Sequence, residues 1–395
     1  MCGIPSLPYR LFCLWGIERS VLELRIAMIG HKTVPSRDGG VEVAVEALAV
    51  RMAALGHDVT LYNRGNKQKN SSKTGSATYR GVHIRCVPVL PCRGISAAIG
   101  SFFATILALF GHYDCIHFHA EGPAIMAFLP HLFGIRTVVT IHGLDWQRSK
   151  WGRFASWYLH QGEKAAVKFA DEIIVLSQAT RQYFRDTYNR DTRYIRNGVE
   201  HLKNEAPDLI RSKWGLDTDG YILYLGRIVP EKGLHYLIKA FRNVSTIKKL
   251  VIAGSASGTD AFYRQMVEAA KGDDRILFTG FVQGQVLDEL YSNCYLYCLP
   301  SDLEGMPISL LEAMSHGNCC LVSDIPECAE VVGSAGFYCK AGDVSDLRQV
   351  LQKLCNWPEL VDACKKQLDD QFFARHNWDE IAMQTLALYR SEKSS

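Results

Sequence analysis

Ser301-Asp302-Leu303-Glu304-Gly305-Met306-Pro307-Ile308-Ser309-Leu310-Leu311-Glu312-Ala313-Met314 sets two carboxylates, Glu304 and Glu312, in different local contexts. The first lies in a Gly/Pro turn and the second on an apolar helix that begins near Ile308. A helix N-terminus carries unpaired backbone N–H groups, so a carboxylate beside one suits a ligand that bears both hydroxyls and phosphate. Glu312, one turn further in, is placed for a second pair of hydroxyls. Isolated glutamates are more often solvated surface residues, and here the flank decides. Asn293 to Leu299 is an apolar run that reads as a buried strand. Glu304 therefore falls at a strand's carboxyl end, where open α/β sheets bind their ligands.

Working outward, 395 residues exceed one ordinary core, and two α/β domains of similar size are the expectation. Hydrophobic residues at 48% and charged ones at 22% describe a globular chain. A net charge of +3, with no Arg/Lys block interleaved with aromatics, argues against a nucleic-acid partner. Thirteen cysteines form an odd set without a CxxC, and Cys115, Cys298, Cys319 and Cys320 fall in strand-like runs. A reduced, cytoplasmic protein fits that better than a disulfide scaffold. Residues 1–22 read as an extension ahead of the first strand. Ile95 to Phe110 carries no charge but is too short to span a bilayer, which leaves a buried or interfacial helix.

The chain opens with Leu24 to Ile29, a short strand, and a loop from His31 to Asp38 closed by Gly39-Gly40. Val41, Val45, Leu48, Met52 and Leu55 then mark an amphipathic helix, and Val59 to Tyr62 the next strand, completing a βαβ unit. No G-x-G-x-x-G follows the first strand, which argues against a nicotinamide enzyme. Asn66 to Tyr79 reads as a mobile loop. Strands at Val82 to Val89 and Asp114 to Phe118 follow, the latter with His117 and His119, which read as core or cleft histidines rather than metal ligands. Thr137 to Ile141 delivers His142-Gly143 to a strand end. The run Leu144 to Trp151 mixes indoles, cations and a carboxylate. It suits either a recognition surface for sugars and anions or a helix start with its Trp packed inward. A second domain starts near Tyr221, and its first strand feeds Gly226-Arg227-Ile228-Val229-Pro230-Glu231-Lys232-Gly233. Two fixed cations at a strand's carboxyl end can offset the charge of a departing diphosphate.

The loops Gly226 to Gly233 and Glu304 to Glu312, in this order and each after a strand, resemble the G-R-x3-x-K-G and E-x7-E signatures of the retaining family 4 glycosyltransferases. The resemblance covers about Leu24 to Arg390. It implies the GT-B fold, an α/β architecture of two Rossmann-like doubly wound domains facing across a cleft: residues 23–203 on the acceptor side, 204–375 on the nucleotide-sugar side, and 376–395 crossing back to the first domain. It implies transfer of a sugar from a nucleotide diphosphate sugar to an acceptor hydroxyl, with no cofactor. Arg227 and Lys232 would hold the diphosphate with Gly39 and Gly40, Glu304 the hydroxyls of the sugar, and Glu312 the ribose. His142 would lie over the sugar, Phe281 and Val282 at the base, and Gly305, Met306 and Pro307 beside the donor. Asp145, Trp146, Arg148 and Lys150 would face the acceptor, a lipid-linked or oligosaccharide intermediate of surface-polysaccharide assembly, with a peripheral membrane contact weighed against a plain core helix. A GT-B epimerase or hydrolase, or a silent sugar-nucleotide binder, are the alternatives. Asp217-Thr218-Asp219 is the one Asp-x-Asp in the chain and precedes the strand at Tyr221, away from the cleft. A metal-independent reaction is the expectation.

Overall fold

The computed structural model describes residues 23–65, 76–89, 96–148, 151–200, 204–367 and 370–390. The first half runs β1 (Arg25–Ile29), α1 (Gly40–Ala54), β2 (Asp58–Arg64), β3 (Ser76–Tyr79), β4 (Val82–Val87), α2 (Ser96–Leu109), β5 (Cys115–His119), α3 (Glu121–Ala124), α4 (Phe128–Leu132), β6 (Arg136–Ile141), α5 (Arg153–Phe169), β7 (Glu172–Val175), α6 (Gln178–Tyr188) and β8 (Arg193–Tyr194). The second runs α7 (Asp208–Trp214), β9 (Tyr221–Leu225), α8 (Leu234–Phe241), β10 (Lys249–Ala253), α9 (Asp260–Ala270), β11 (Ile276–Gly280), α10 (Gln285–Ser292) and β12 (Leu296–Leu299). It closes with α11 (Ile308–Ser315), β13 (Cys320–Ser323), α12 (Pro326–Val332), β14 (Gly336–Cys339), α13 (Val344–Asn356), α14 (Pro358–Lys365), α15 (Asp370–Arg375) and α16 (Trp378–Arg390).

Among the described residues, eight strands form one sheet in the order β3-β4-β2-β1-β5-β6-β7-β8 and six form a second, β11-β10-β9-β12-β13-β14. All pairings are parallel except β3 with β4. Parallel strands covered on both faces read as continuous apolar runs, and β5, β6, β12 and β13 are buried along their whole length. Strand order reverses between β1 and β5 in the first sheet and between β9 and β12 in the second. Those reversals open crevices at the strands' carboxyl ends. The loops that carry Gly39-Gly40, Arg227 and Glu304 all leave from these points.

Three expectations need correction. Asn66 to Tyr79 is not a loop throughout: Ser76 to Tyr79 pairs antiparallel with β4, where Tyr79 donates to Glu46, while 66–75 lie outside the described residues. The strand expected from Asn293 starts at Leu296, because Asn293 caps α10 with its amide donating to the Glu289 carbonyl. Leu55 lies at the end of α1 and is 50% exposed; the buried stripe of that helix is Ala44, Val45, Leu48, Ala49 and Met52.

The last helix leaves the second domain and packs on the first. Trp378 stacks against Gly198, where an added Cβ would come within 2.5 Å of the indole. Arg51 on α1 binds Asp379 at 2.6 Å, Arg136 donates to the Leu388 carbonyl at 2.6 Å, and Tyr389 bonds His117 at 2.6 Å. Ile381, Ala382, Leu386 and Tyr389 join the core on the α1 face of the first sheet.

Candidate active site

One cleft between the two sheets is lined by residues of both. From the first domain come Arg37, Gly39, Gly40, Glu42, His142, Asp145 and Arg148; from the second, Arg227, Lys232, Phe281, Val282, Gly305, Met306, Pro307 and both glutamates. Trp146 is absent from the lining, and Lys150 lies outside the described residues.

Two helix starts meet here. α1 begins at Gly40 and α11 at Ile308, neither N-cap supplies a side-chain acceptor, and a Cβ on Gly40 would lie 3.7 Å from Ile308 Cδ1. Unpaired N–H groups and the positive ends of two helix dipoles therefore point into one space. Such a space favours an anion.

Lys232 and Glu304 are direct partners, Nζ to Oε1 at 2.6 Å, with side chains 10% and 5% exposed. Ser301 Oγ donates to the same carboxylate oxygen at 2.7 Å. Local backbone imposes this pairing. Gly233 takes φ +68°, and a Cβ there would sit 1.8 Å from the Pro300 carbonyl oxygen, so the loop after β9 lies flat on the loop after β12. Only glycine fits such a left-handed close approach. Arg227, half-buried in the cleft, has no side-chain hydrogen bond or ion pair among the described residues. It is a cation ready for an incoming anion.

Glu312 is held by Tyr291, whose hydroxyl donates at 3.1 Å, and by Arg37 at 3.7 Å. Burial raises its pKa, with Arg37 opposing the shift. Across the cleft, His142 Nε2 shares a hydrogen bond of 3.1 Å with His119 Nδ1. Burial brings His142 down to about 4 and holds His119 well below its usual value. Both rings are neutral at pH 7, so one donates and the other accepts. The domains touch beside them: a Cβ on Gly305 would fall 1.7 Å from the His142 carbonyl oxygen.

The segment after His142 packs inward. Trp146 donates its indole N–H to Glu163 at 3.0 Å and its backbone N–H to Glu121 at 3.2 Å. Burial, then Asp145 and Glu163, push Glu121 up to about 10, so it is protonated at neutral pH. The exposed-indole reading of this run gives way to the inward-packed one at Trp146. Arg148 is pinned by Asp145 at 2.6 Å and reaches Glu231 of the other domain at 3.3 Å. Asp217 pairs with Arg211 at 2.6 Å and Asp219 with Lys365 at 2.7 Å, both before β9, at the opposite end from Gly226.

Arg37, Glu231 and Asn197, whose amide donates to the Met306 carbonyl at 3.1 Å, are site residues that the sequence reading left without a role. Arg37 and Glu231 stand within two residues of assigned positions, and that adjacency was the available signal.

A family model described as glycosyl transferases group 1 matches residues 208–370, and one described as glycosyltransferase family 4 matches residues 38–201. An uncharacterised glycosyltransferase of Methanocaldococcus jannaschii is 26% identical over 390 residues, 93% of this chain and 98% of the relative. O-antigen chain mannosyltransferase B of Escherichia coli is 29% identical over 188 residues, 46% of this chain and 48% of its own. Sucrose-phosphate synthase from Thermosynechococcus elongatus superposes with a TM-score of 0.81 at 22% identity, covering 93% of this chain and 98% of that one. An Anabaena protein, HepE, in complex with UDP-glucose gives 0.75 at 17% identity, covering 92% and 100%.

Proposed function

The chain belongs to the family 4 glycosyltransferases of GT-B fold, and from that premise we propose that it is a retaining enzyme which moves a sugar from a nucleoside diphosphate sugar to the hydroxyl of a lipid-linked or oligosaccharide acceptor. The observation that carries this is the convergence of two uncapped helix N-termini with Arg227 and Lys232 in one cleft.

In this reading the diphosphate lies between Gly39-Gly40 and the start of α11. Arg227 and Lys232 offset the charge that grows on it as the glycosidic bond breaks. Glu304 accepts from hydroxyls of the sugar and keeps Lys232 in place, and Glu312 takes the ribose. Phe281, 45% exposed at the end of β11, offers a face to the base with Val282 beside it. His142 bounds the sugar from the first domain, and its neutral ring donates or accepts a single hydrogen bond without adding charge. Arg148 and Asp145 border the acceptor side, and Trp146 holds that loop in place.

Front-face departure and attack within one ion pair is the route we favour. The cleft's Asp38, Glu42, Asp145, Glu304 and Glu312 are each already bound to a donor or a cation, so none of them stands ready as a free nucleophile. Retained configuration then follows from attack on the face that the diphosphate leaves. No described helix is long and apolar enough to cross a membrane.

The test has two parts. Titration with uridine, guanosine and thymidine diphosphate sugars should identify one tight donor, and NMR of the product should show its anomeric configuration kept. Inverted product would overturn the retaining route; release of free sugar with no transfer to any acceptor would favour a hydrolase.

A further inference from the structure

α2 carries no charged residue and is turned the unusual way round. Its buried face is Gly100, Ser101, Ala104, Thr105 and Ala108, and the two hydroxyls are spent on the carbonyls of Ala97 and Ser101. Its bulky residues face out instead: Phe102 is 44% exposed, Leu107 44%, and Phe110, just past its end, 78%. A helix that serves only its own core shows the reverse arrangement.

The neighbouring elements extend this face. α4 lies against both α2 and α5. Leu132 and Phe133 at its end, and Phe154 and Trp157 in the first turns of α5, are all more than half exposed. Between α2 and α5 runs a groove with Pro88, Val89, Ile99, Phe102, Met126 and Tyr158 in its walls. Apolar surface this contiguous marks an interaction site.

Charge selects the partner. From 96 to 169 the acids are Asp114, Glu121, Asp145 and Glu163. The two glutamates are fully buried, Asp145 is paired with Arg148, and Asp114 accepts the Arg25 backbone N–H at 2.7 Å at the start of β5. Arg153, Lys164 and Lys168 on α5 are exposed. An apolar, aromatic face edged by cations matches an anionic lipid surface. A second copy would set these cations against their own counterparts, since a two-fold interface opposes the same patch.

We propose that α2, α4 and the start of α5 seat the protein on an anionic phospholipid bilayer, with the α2–α5 groove taking an acyl chain. The inference deepens the reading of a lipid-linked acceptor and rests on it. The docking face and the acceptor loop share α5, because Glu163 of that helix holds the Trp146 indole and Tyr158 donates to the Gly122 carbonyl.

Flotation tests it, with vesicles of equal parts phosphatidylglycerol and phosphatidylcholine set against phosphatidylcholine alone. The wild type should float with the mixed vesicles. Phe110→Ser/Trp157→Ser and Lys164→Glu/Lys168→Glu should each partition at least ~10-fold more weakly. Wild-type protein left wholly in the soluble fraction, or flotation untouched by both variants, overturns the proposal. So does a solution dimer that the Phe110→Ser/Trp157→Ser variant dissociates, which assigns the face to a second copy. Nucleoside diphosphate titration of the same samples separates the two readings: nucleotide binding without flotation leaves the transferase and removes the docking face, whereas flotation without nucleotide binding does the opposite.

Discussion

At the scale of single residues, the two cations of the cleft differ in what they hold. Arg227 has no side-chain partner among the described residues, so Arg227→Ala should lower turnover by about 10²–10³-fold and leave the thermal midpoint where it was. Lys232 neutralises the buried Glu304, with side chains 10% and 5% exposed. Its loss strands a carboxylate, and breaking such a pair is strongly destabilising. Lys232→Ala should therefore lower both turnover and the midpoint. Measuring kcat and thermal unfolding on the two variants checks the contrast, and wild-type turnover in Arg227→Ala would remove the diphosphate role. In the proposed reading, Glu304→Gln keeps the shape but loses the charge-assisted bonds to the sugar's hydroxyls. Transfer should fall while nucleoside diphosphate affinity stays; an equal loss of nucleotide affinity would move Glu304 from the sugar to the nucleotide.

At the scale of elements, the site depends on backbones that touch. The turn into α11 lies so close to the end of β6 that a Cβ on Gly305 would be 1.7 Å from the His142 carbonyl oxygen. Gly305→Ala must push the two domains apart beside His142. A displacement of about 1 Å costs on the order of 10²-fold in rate, so kcat should drop by that factor. Phe281 and Arg227 belong to one domain, and free nucleotide should still bind. Calorimetric titration beside kinetics distinguishes this from general unfolding, which would abolish both.

At the scale of the whole molecule, buried titratable groups set the response to pH. Burial lowers His31, His142, His316 and His376 to about 4 and His117 to about 3, and holds His119 well below its usual value. In the unfolded chain each takes up a proton near pH 6.5 and in the native state it does not, so stability is full above about pH 6.5 and falls as pH drops toward 4. Glu312, Glu327, Asp288 and Asp302, whose pKa burial raises, act the other way, and Glu121 most of all. Its raised value, about 10, means that the native state keeps a proton the unfolded chain has released, which lowers stability gradually from about pH 4.5 up to pH 10. The six histidines outweigh these carboxyls below pH 6.5, and a thermal-midpoint optimum near pH 6.5–7 is expected. A midpoint that kept rising down to pH 5 would contradict the buried, neutral histidines. Excess chelator should leave transfer intact, because Asp217 and Asp219 are held by Arg211 and Lys365 away from the cleft, while Arg227 and Lys232 stand at the cleft itself. A loss restored by magnesium or manganese would reassign the diphosphate site.

Sequence alone determined what is local. Apolar runs bounded by glycines marked the buried strands, and the residues just past them, Gly39-Gly40, His142, Arg227, Lys232 and Glu304, line one cleft because strand ends are where parallel sheets expose their loops. Tertiary structure decided what depends on distant residues meeting. Lys232 neutralises Glu304 across 72 positions and Arg148 reaches Glu231 across 83, contacts that no spacing along the chain encodes. The same holds for surfaces. The apolar sequence of α2 fitted a core or an interface equally well, and Trp146 fitted an open surface or a packed one. Periodicity tells which residues share a face, but only the packing of neighbours fixes which way that face turns: α2 lays its small side down on the first sheet, and a buried Glu163 draws the indole inward.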